Sequence, residues 1–200
     1  MAGFDIVSRL FALLLGLAIA EVLRGFARVL RIKTDVDDAE RDTIRIGWLT
    51  PLLASLMIMD QTSFWFYFHE VGAIVPPNFG SLIGMMIVIG SYYTLSTLIF
   101  PSNPKQWPDF DDYYLKVKRT VIGGILAVGF ASLAYAAVLM IIGAGQSVEN
   151  EISRSTPVSG TLGILVIPVL IALLFIKSKR MNLMLLVLAN VLVLGEALPF

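Results

Sequence analysis

Long apolar runs separated by short polar connections divide this chain into six segments, at 5–30, 44–68, 79–100, 120–144, 158–176 and 181–198. The apolar positions within each run are continuous rather than alternating, which predicts helices and not strands. Each run is close to the ~20 residues that a helix needs to cross a ~30 Å hydrocarbon layer. The connection after the third run is more structured. Pro101 and Pro104 end one helix, and Pro108-Asp109 opens another, with Asp109 as its N-cap. Over 109–119, Phe110, Tyr113, Tyr114 and Val117 share one face, away from Asp111, Lys116, Lys118 and Arg119. That spacing predicts a short amphipathic helix at a membrane interface. The expected fold class is all-α: a single-domain integral membrane bundle of six transmembrane helices plus a short cytoplasmic interfacial helix.

Composition agrees with this pattern. Hydrophobic residues make up 57% of the chain and charged residues 15%, too little polar surface for a soluble domain of 200 residues. The distribution of basic residues sets the expected orientation. Arg24, Arg28, Arg31, Lys33, Arg41 and Arg45 lie in or around the first connection. Lys105, Lys116, Lys118 and Arg119 belong to the third, and Lys177, Lys179 and Arg180 to the fifth. Only Arg9 and Arg154 fall on the other side. The positive-inside rule then puts the odd-numbered connections in the cytoplasm and both termini in the periplasm. Asp5 offsets Arg9, so the first run lacks the basic start of a signal peptide and reads as a span.

Charged and amide groups inside the runs are the candidates for function, because each costs at least ~2.5 kcal/mol in hydrocarbon unless it finds partners. Arg9, Glu21, Arg24, Arg28 and Arg31 fall within roughly a third of the first helix's circumference. Glu21 and Arg24 have the spacing of an intrahelical ion pair. Depth counting brings the hydroxyl-rich stretch Ser91 to Thr97 of the third helix to a similar level. The expectation is an inward-facing polar pocket around Glu21, Arg24, Asp60, Gln61, Tyr93, Thr97 and Asn190, with Arg9 as the partner of Asp60. Arg28, Arg31, Asp111, Tyr114 and Arg119 are expected at the interface, near lipid phosphates. Pro51 and Pro168 are expected to kink the second and fifth helices. Gly123, Ala127 and Ala131 form a small-residue ridge on the fourth, for internal packing or a subunit contact.

Enzymatic chemistry finds little support. One histidine and no cysteine cannot build a His-rich or thiolate metal site, so no metal and no cofactor are expected. No nucleophile elbow or glycine-rich phosphate loop is present, no catalytic residue is assigned, and zero formal charge gives no reason to expect nucleic acid. The string GLAIAEVLRGFARVLR from Gly16 to Arg31 is similar to the first helix of an uncharacterised family of bacterial polytopic inner-membrane proteins. Trp48 with Pro51, Asp60-Gln61 with Phe64-Trp65, Phe100-Pro101, and Asp109-Phe110-Asp111 with Tyr114 and Arg119 resemble the same family. The resemblance covers roughly the first 120 residues. It implies a bacterial inner membrane and a grouping of Glu21, Arg24, Asp60 and Asp111, and it lends no activity. The expected function is a small-solute or ion channel or transporter, partnered by membrane lipids and by its own copies. A non-catalytic subunit or assembly factor of a larger membrane complex is the alternative. Because the chain has no cysteine, single cysteines placed at Met1 and Phe200 test the orientation. Both should react with an impermeant thiol reagent from the periplasmic side, and labelling only after lysis would reverse it.

Overall fold

The computed structural model describes residues 2–35, 45–71, 79–103, 106–139 and 157–197. Both termini, and with them the expected periplasmic location, lie outside this set. The described residues form six α-helices: α1 Ala2–Asp35, α2 Leu49–Val71, α3 Phe79–Leu98, α4 Phe110–Leu139, α5 Pro157–Phe175 and α6 Lys179–Ala197. They contain no strand; one isolated bridge pairs Arg45 with Asp109. The all-α expectation therefore holds. By length and composition, one described helix segment, Phe110–Tyr135, is long and apolar enough to cross a membrane, and Leu82–Leu98 and Ile164–Phe175 are shorter apolar helices.

Two expectations about helix shape are corrected. The separate interfacial helix does not exist, because its residues are the first turns of α4, which continues for 30 residues without a break. Nothing between Lys116 and Val121 stops a helix: this stretch has no proline or glycine to end it. Pro51 sits in the first turn of α2, where its missing N–H would have had no intrahelical acceptor, so it opens the helix and does not interrupt it. Pro168 does lie inside α5.

Each helix buries one stripe. On α1 the stripe is Phe11, Leu15, Ala18, Val22 and Val29, alternating steps of three and four apart from the place where Gly25 intervenes. Any side chain at Gly25 would run into the Phe100 ring, which lies against the α1 backbone. Each large apolar side chain in these stripes contributes ~1.5–3 kcal/mol relative to exposure. Helix α2 is the hub, packing on α1, α4 and α6 and more sparsely on α3. Around it, α1 packs on α3, α3 on α4, α4 on α5, and α5 on α6.

One end of the bundle gathers the helix ends, and the first three turns of α4 hold them together. A helix leaves its first four N–H and last four C=O groups without intrahelical partners. Asp109 caps α4 itself, its carboxylate accepting from Asp111 N at 2.8 Å. The Asp111 carboxylate accepts from Leu49 N of α2 at 3.1 Å, and the Thr50 hydroxyl donates to Phe110 O at 3.0 Å. The Tyr113 hydroxyl donates to Leu98 O at the end of α3, at 2.9 Å. Lys118, 3% exposed, donates to Leu173 O and Ile176 O at the end of α5 and to the Asn182 amide oxygen of α6. Its three N–H donors are thus fully used, beside carbonyls whose partial negative charge suits a cation. Asn182 closes the connection by donating to Ile176 O and Ser178 O. Arg119 adds a longer bond to Leu174 O.

Lys179 then ties the start of α6 to α4, 3.0 Å from Asp109 and 2.7 Å from Asp112. Hydrogen bonds to Asp112 and Asp109 raise the Lys179 pKa. At Asp109 partial burial pulls the other way, but the bonds from Lys179 and the α4 backbone outweigh it and lower the carboxyl pKa. Gly47 completes the arrangement, because a Cβ there would occupy the place of the Asp111 carboxylate. Gly47→Ala should therefore push that carboxylate off Leu49 N and cost about 1–3 kcal/mol, the penalty of an orphaned buried donor. Thermal unfolding in detergent reads the loss, and an unchanged midpoint would remove Asp111 from the role of cap.

Candidate functional site

The expected pocket separates into three places. The first is the outer face of α1. Arg24 and Glu21 do pair, at 2.9 Å, but the Arg24 side chain is 67% exposed and that of Glu21 18%. Arg9, Arg28 and Arg31 are exposed as well. The inward stripe of α1 is apolar, so a polar pocket lined by Glu21 and Arg24 is not formed. The reason is angular: the arginines lie on the flank and back of the stripe that runs from Phe11 to Val29. Because Gly25 and Phe26 lie against Phe100, just past the end of α3, Arg24, Arg28 and Arg31 stand at or beyond the level where that helix stops.

Tyr93 and Thr97, also expected in the pocket, belong to the outer face of α3, where Tyr93 is 38% exposed. Thr97 donates to Thr94 O at 2.7 Å and Thr94 to Gly90 O at 2.8 Å. Serine and threonine on a helix satisfy themselves against the preceding turn, so their hydroxyls call for no carboxylate across the bundle.

The second place is the contact of α2 with α6. Asn190 is buried and donates to Leu52 O at 3.2 Å and Leu186 O at 2.8 Å. Both acceptors are carbonyls, which fixes the orientation of the amide and leaves its oxygen buried with no partner.

The third place is the seam between α2 and α3, and it is the candidate site. The Tyr92 hydroxyl donates to the Asp60 carboxylate at 2.8 Å. The Gln61 amide donates to the Ser96 hydroxyl at 2.9 Å. Tyr92 and Ser96 are four residues apart on one face of α3, so two consecutive α2 side chains grip two consecutive turns of α3. Asp60 is half-buried, Gln61 and Ser96 are buried, and the Gln61 oxygen has no partner. Asp60 stands eleven residues into α2, about 16 Å from its first residue. The Phe64 ring packs 5.6 Å from the Tyr92 ring and 5.9 Å from Phe11, an apolar cover on one side of the seam. Arg9, the expected partner of Asp60, is exposed, and Tyr92 of α3 donates to the carboxylate.

Sequence reasoning thus selected Asp60 and Gln61 but took Tyr93 and Thr97 of α3 where Tyr92 and Ser96 make the contact. The signal was present. Ile89, Tyr92, Leu95, Ser96 and Ile99 keep helical spacing on one side of α3, and all five are buried. The residues expected at an interface also divide. Arg28, Arg31 and Arg119 are exposed. Tyr114 is fully buried, its hydroxyl donating to Asn182 at 3.0 Å, because its face of α4 packs into the bundle. Asp111 is half-buried as the cap of α2. No group of three or more acidic, histidine or cysteine side chains that could hold a metal is found among the described residues.

No family model matches the chain, and no match was found among curated proteins or solved structures. The Tyr92 bond itself is open to measurement. Tyr92→Phe keeps the ring against Phe64 and should lower stability by about 1.5–3 kcal/mol, the worth of a hydrogen bond to a charged group. Equal unfolding midpoints for the two proteins would reduce the contact to coincidence.

Proposed function

We propose that this chain is a multi-pass protein of a bacterial inner membrane that moves a small cation or a proton across it, with Asp60 at the centre of the path. The single observation carrying this reading is the α2–α3 seam, where a carboxylate, a phenol, an amide and a hydroxyl meet, with Asp60 and Gln61 ten or more residues from either end of α2. An ionisable side chain held at such a depth is expensive and marks an ion or proton route more often than a fold element. The membrane setting is supported by the outward faces of the bundle. Leu13, Met86, Ile87, Leu133, Ile164, Phe175, Met184 and Val191, from five helices, are all more than half exposed, which a water-facing surface does not tolerate. Orientation is supported by the end that collects Arg24, Arg28, Arg31, Arg45, Arg119, Lys177 and Arg180, which fits the cytoplasmic side.

A second reading, a non-catalytic subunit of a larger membrane complex, is favoured by the ridge on α4. Gly124 is spent on packing against Leu95 of α3, whereas Ala127 and Ala131 are exposed and present a smooth outer face to another helix.

Reconstitution into liposomes discriminates the two. Wild-type protein should support a cation or proton flux above that of empty vesicles, and Asp60→Asn should reduce it at least tenfold at equal incorporation. Absence of flux over a panel of monovalent and divalent cations and pH gradients, together with co-purification of one stoichiometric membrane protein, would transfer the assignment to the second reading.

A further inference from the structure

We infer that the α2–α3 seam is a binding site for a dehydrated monovalent cation of the size of sodium, held by Asp60, Gln61, Tyr92 and Ser96. This deepens the transport reading by naming the cargo, and as cargo the ion rests on that reading. Two hydrogen-bonded pairs bring oxygen-bearing side chains of two facing helices together: the Asp60 carboxylate with the Tyr92 phenol, and the Gln61 amide with the Ser96 hydroxyl. The two hydrogen bonds that join them lie about one helical turn apart, roughly 6 Å along α3.

The independent pointer is the Gln61 oxygen, which is buried and has no hydrogen-bond partner among the described residues. Turning the amide over does not help, since the nitrogen would then be the orphan in place of the oxygen. A native structure rarely leaves such a group bare without an ion or water to meet it. Protonation does not satisfy an amide oxygen at ordinary pH, whereas a hard cation does. One carboxylate balances one positive charge. Divalent sites recruit several acidic groups, and no such group occurs among the described residues. Sparse packing between α2 and α3 leaves the side chains to span the gap, and Phe11 and Phe64 keep one side of the seam apolar, where ion–dipole attraction is strong.

The test uses the whole protein purified in detergent, unfolded thermally at constant ionic strength while choline chloride is exchanged for sodium chloride. Sodium should raise the midpoint saturably, by about 5–10 °C at a hundredfold excess over half-saturation. Potassium should raise it less. Asp60→Asn and Gln61→Leu should abolish the rise. Ser96→Ala, a milder change, should move half-saturation about tenfold higher, which keeps the site testable if the other variants fold poorly. Identical midpoints in choline and sodium, the result expected if water alone fills the seam, would overturn the inference, as would a rise that survives Asp60→Asn. Liposome flux separates this inference from the reading beneath it. Flux without a sodium-dependent midpoint sinks the ion assignment and leaves transport standing. A sodium-dependent midpoint without flux keeps the site and sinks transport.

Discussion

Helix ends must be satisfied, and in this protein one short segment serves the ends of α2, α3 and α5 at once. The backbone groups left over at the ends of a helix cost about 1–3 kcal/mol each when buried without partners. Asp111 takes a donor from α2, Tyr113 serves a carbonyl of α3, and Lys118 serves two of α5 while also reaching Asn182 of α6. A single apolar replacement at Lys118 would therefore expose several debts at once, in two helices that are not its own. Such coupling makes the order of the six helices at this end hard to change piecemeal. It also explains why a lysine can be 3% exposed without an acidic partner among its hydrogen bonds: the negative ends of helix dipoles surround it.

Rigidity at that end throws the α2–α3 seam into contrast. There the two helices meet sparsely, and long polar side chains do the joining. Hydrogen bonds from Tyr92 and Gln61 hold a fixed register while leaving the helices less tightly interlocked than two apolar faces would be. The two helices are clamped at one end by the first turns of α4 and joined to each other mainly by polar side chains, so the frame is fixed while their mutual contact stays small. A transport cycle asks for that combination, since the barrier to ion passage must yield without unfolding the frame.

That the described elements are helices, and roughly where most of them run, was legible in the sequence because apolar run length reports directly on it. Five of the six described helices coincide with predicted runs to within five residues at each end, and α4 is the exception. Its first three turns carry Asp111, Asp112, Lys116, Lys118 and Arg119, which locally read as the polar face of a surface helix. Their true partners are residues such as Leu49, Leu173 and Asn182, 55 to 64 positions away, and no local pattern announces contacts at that separation. Glu21 and Arg24 were misplaced for a different reason. Counting depth along α1 gave their level, but level does not give direction, and the buried stripe through Ala18 and Val22 points elsewhere. Where angle was considered together with depth, as it could have been for Tyr92 and Ser96, the sequence held the answer.

Two buried amide oxygens, on Asn190 and Gln61, have no hydrogen-bond partner among the described residues, and they are not equivalent. The nitrogen of Asn190 is held by two backbone carbonyls, and its surroundings on α2 and α6 are Leu52, Leu186 and other aliphatic groups. An ion there would meet no formal charge to balance it, and one water molecule would settle the account of that oxygen. Gln61 follows directly on Asp60, and its amide nitrogen is bound to a hydroxyl, itself able to turn its lone pairs toward a cation. The difference between a structural orphan and a binding group is thus the neighbouring carboxylate. What distinguishes the seam from the rest of this bundle is the coincidence, on two adjacent positions of one helix, of a carboxylate and a buried amide oxygen with no hydrogen-bond partner among the described residues.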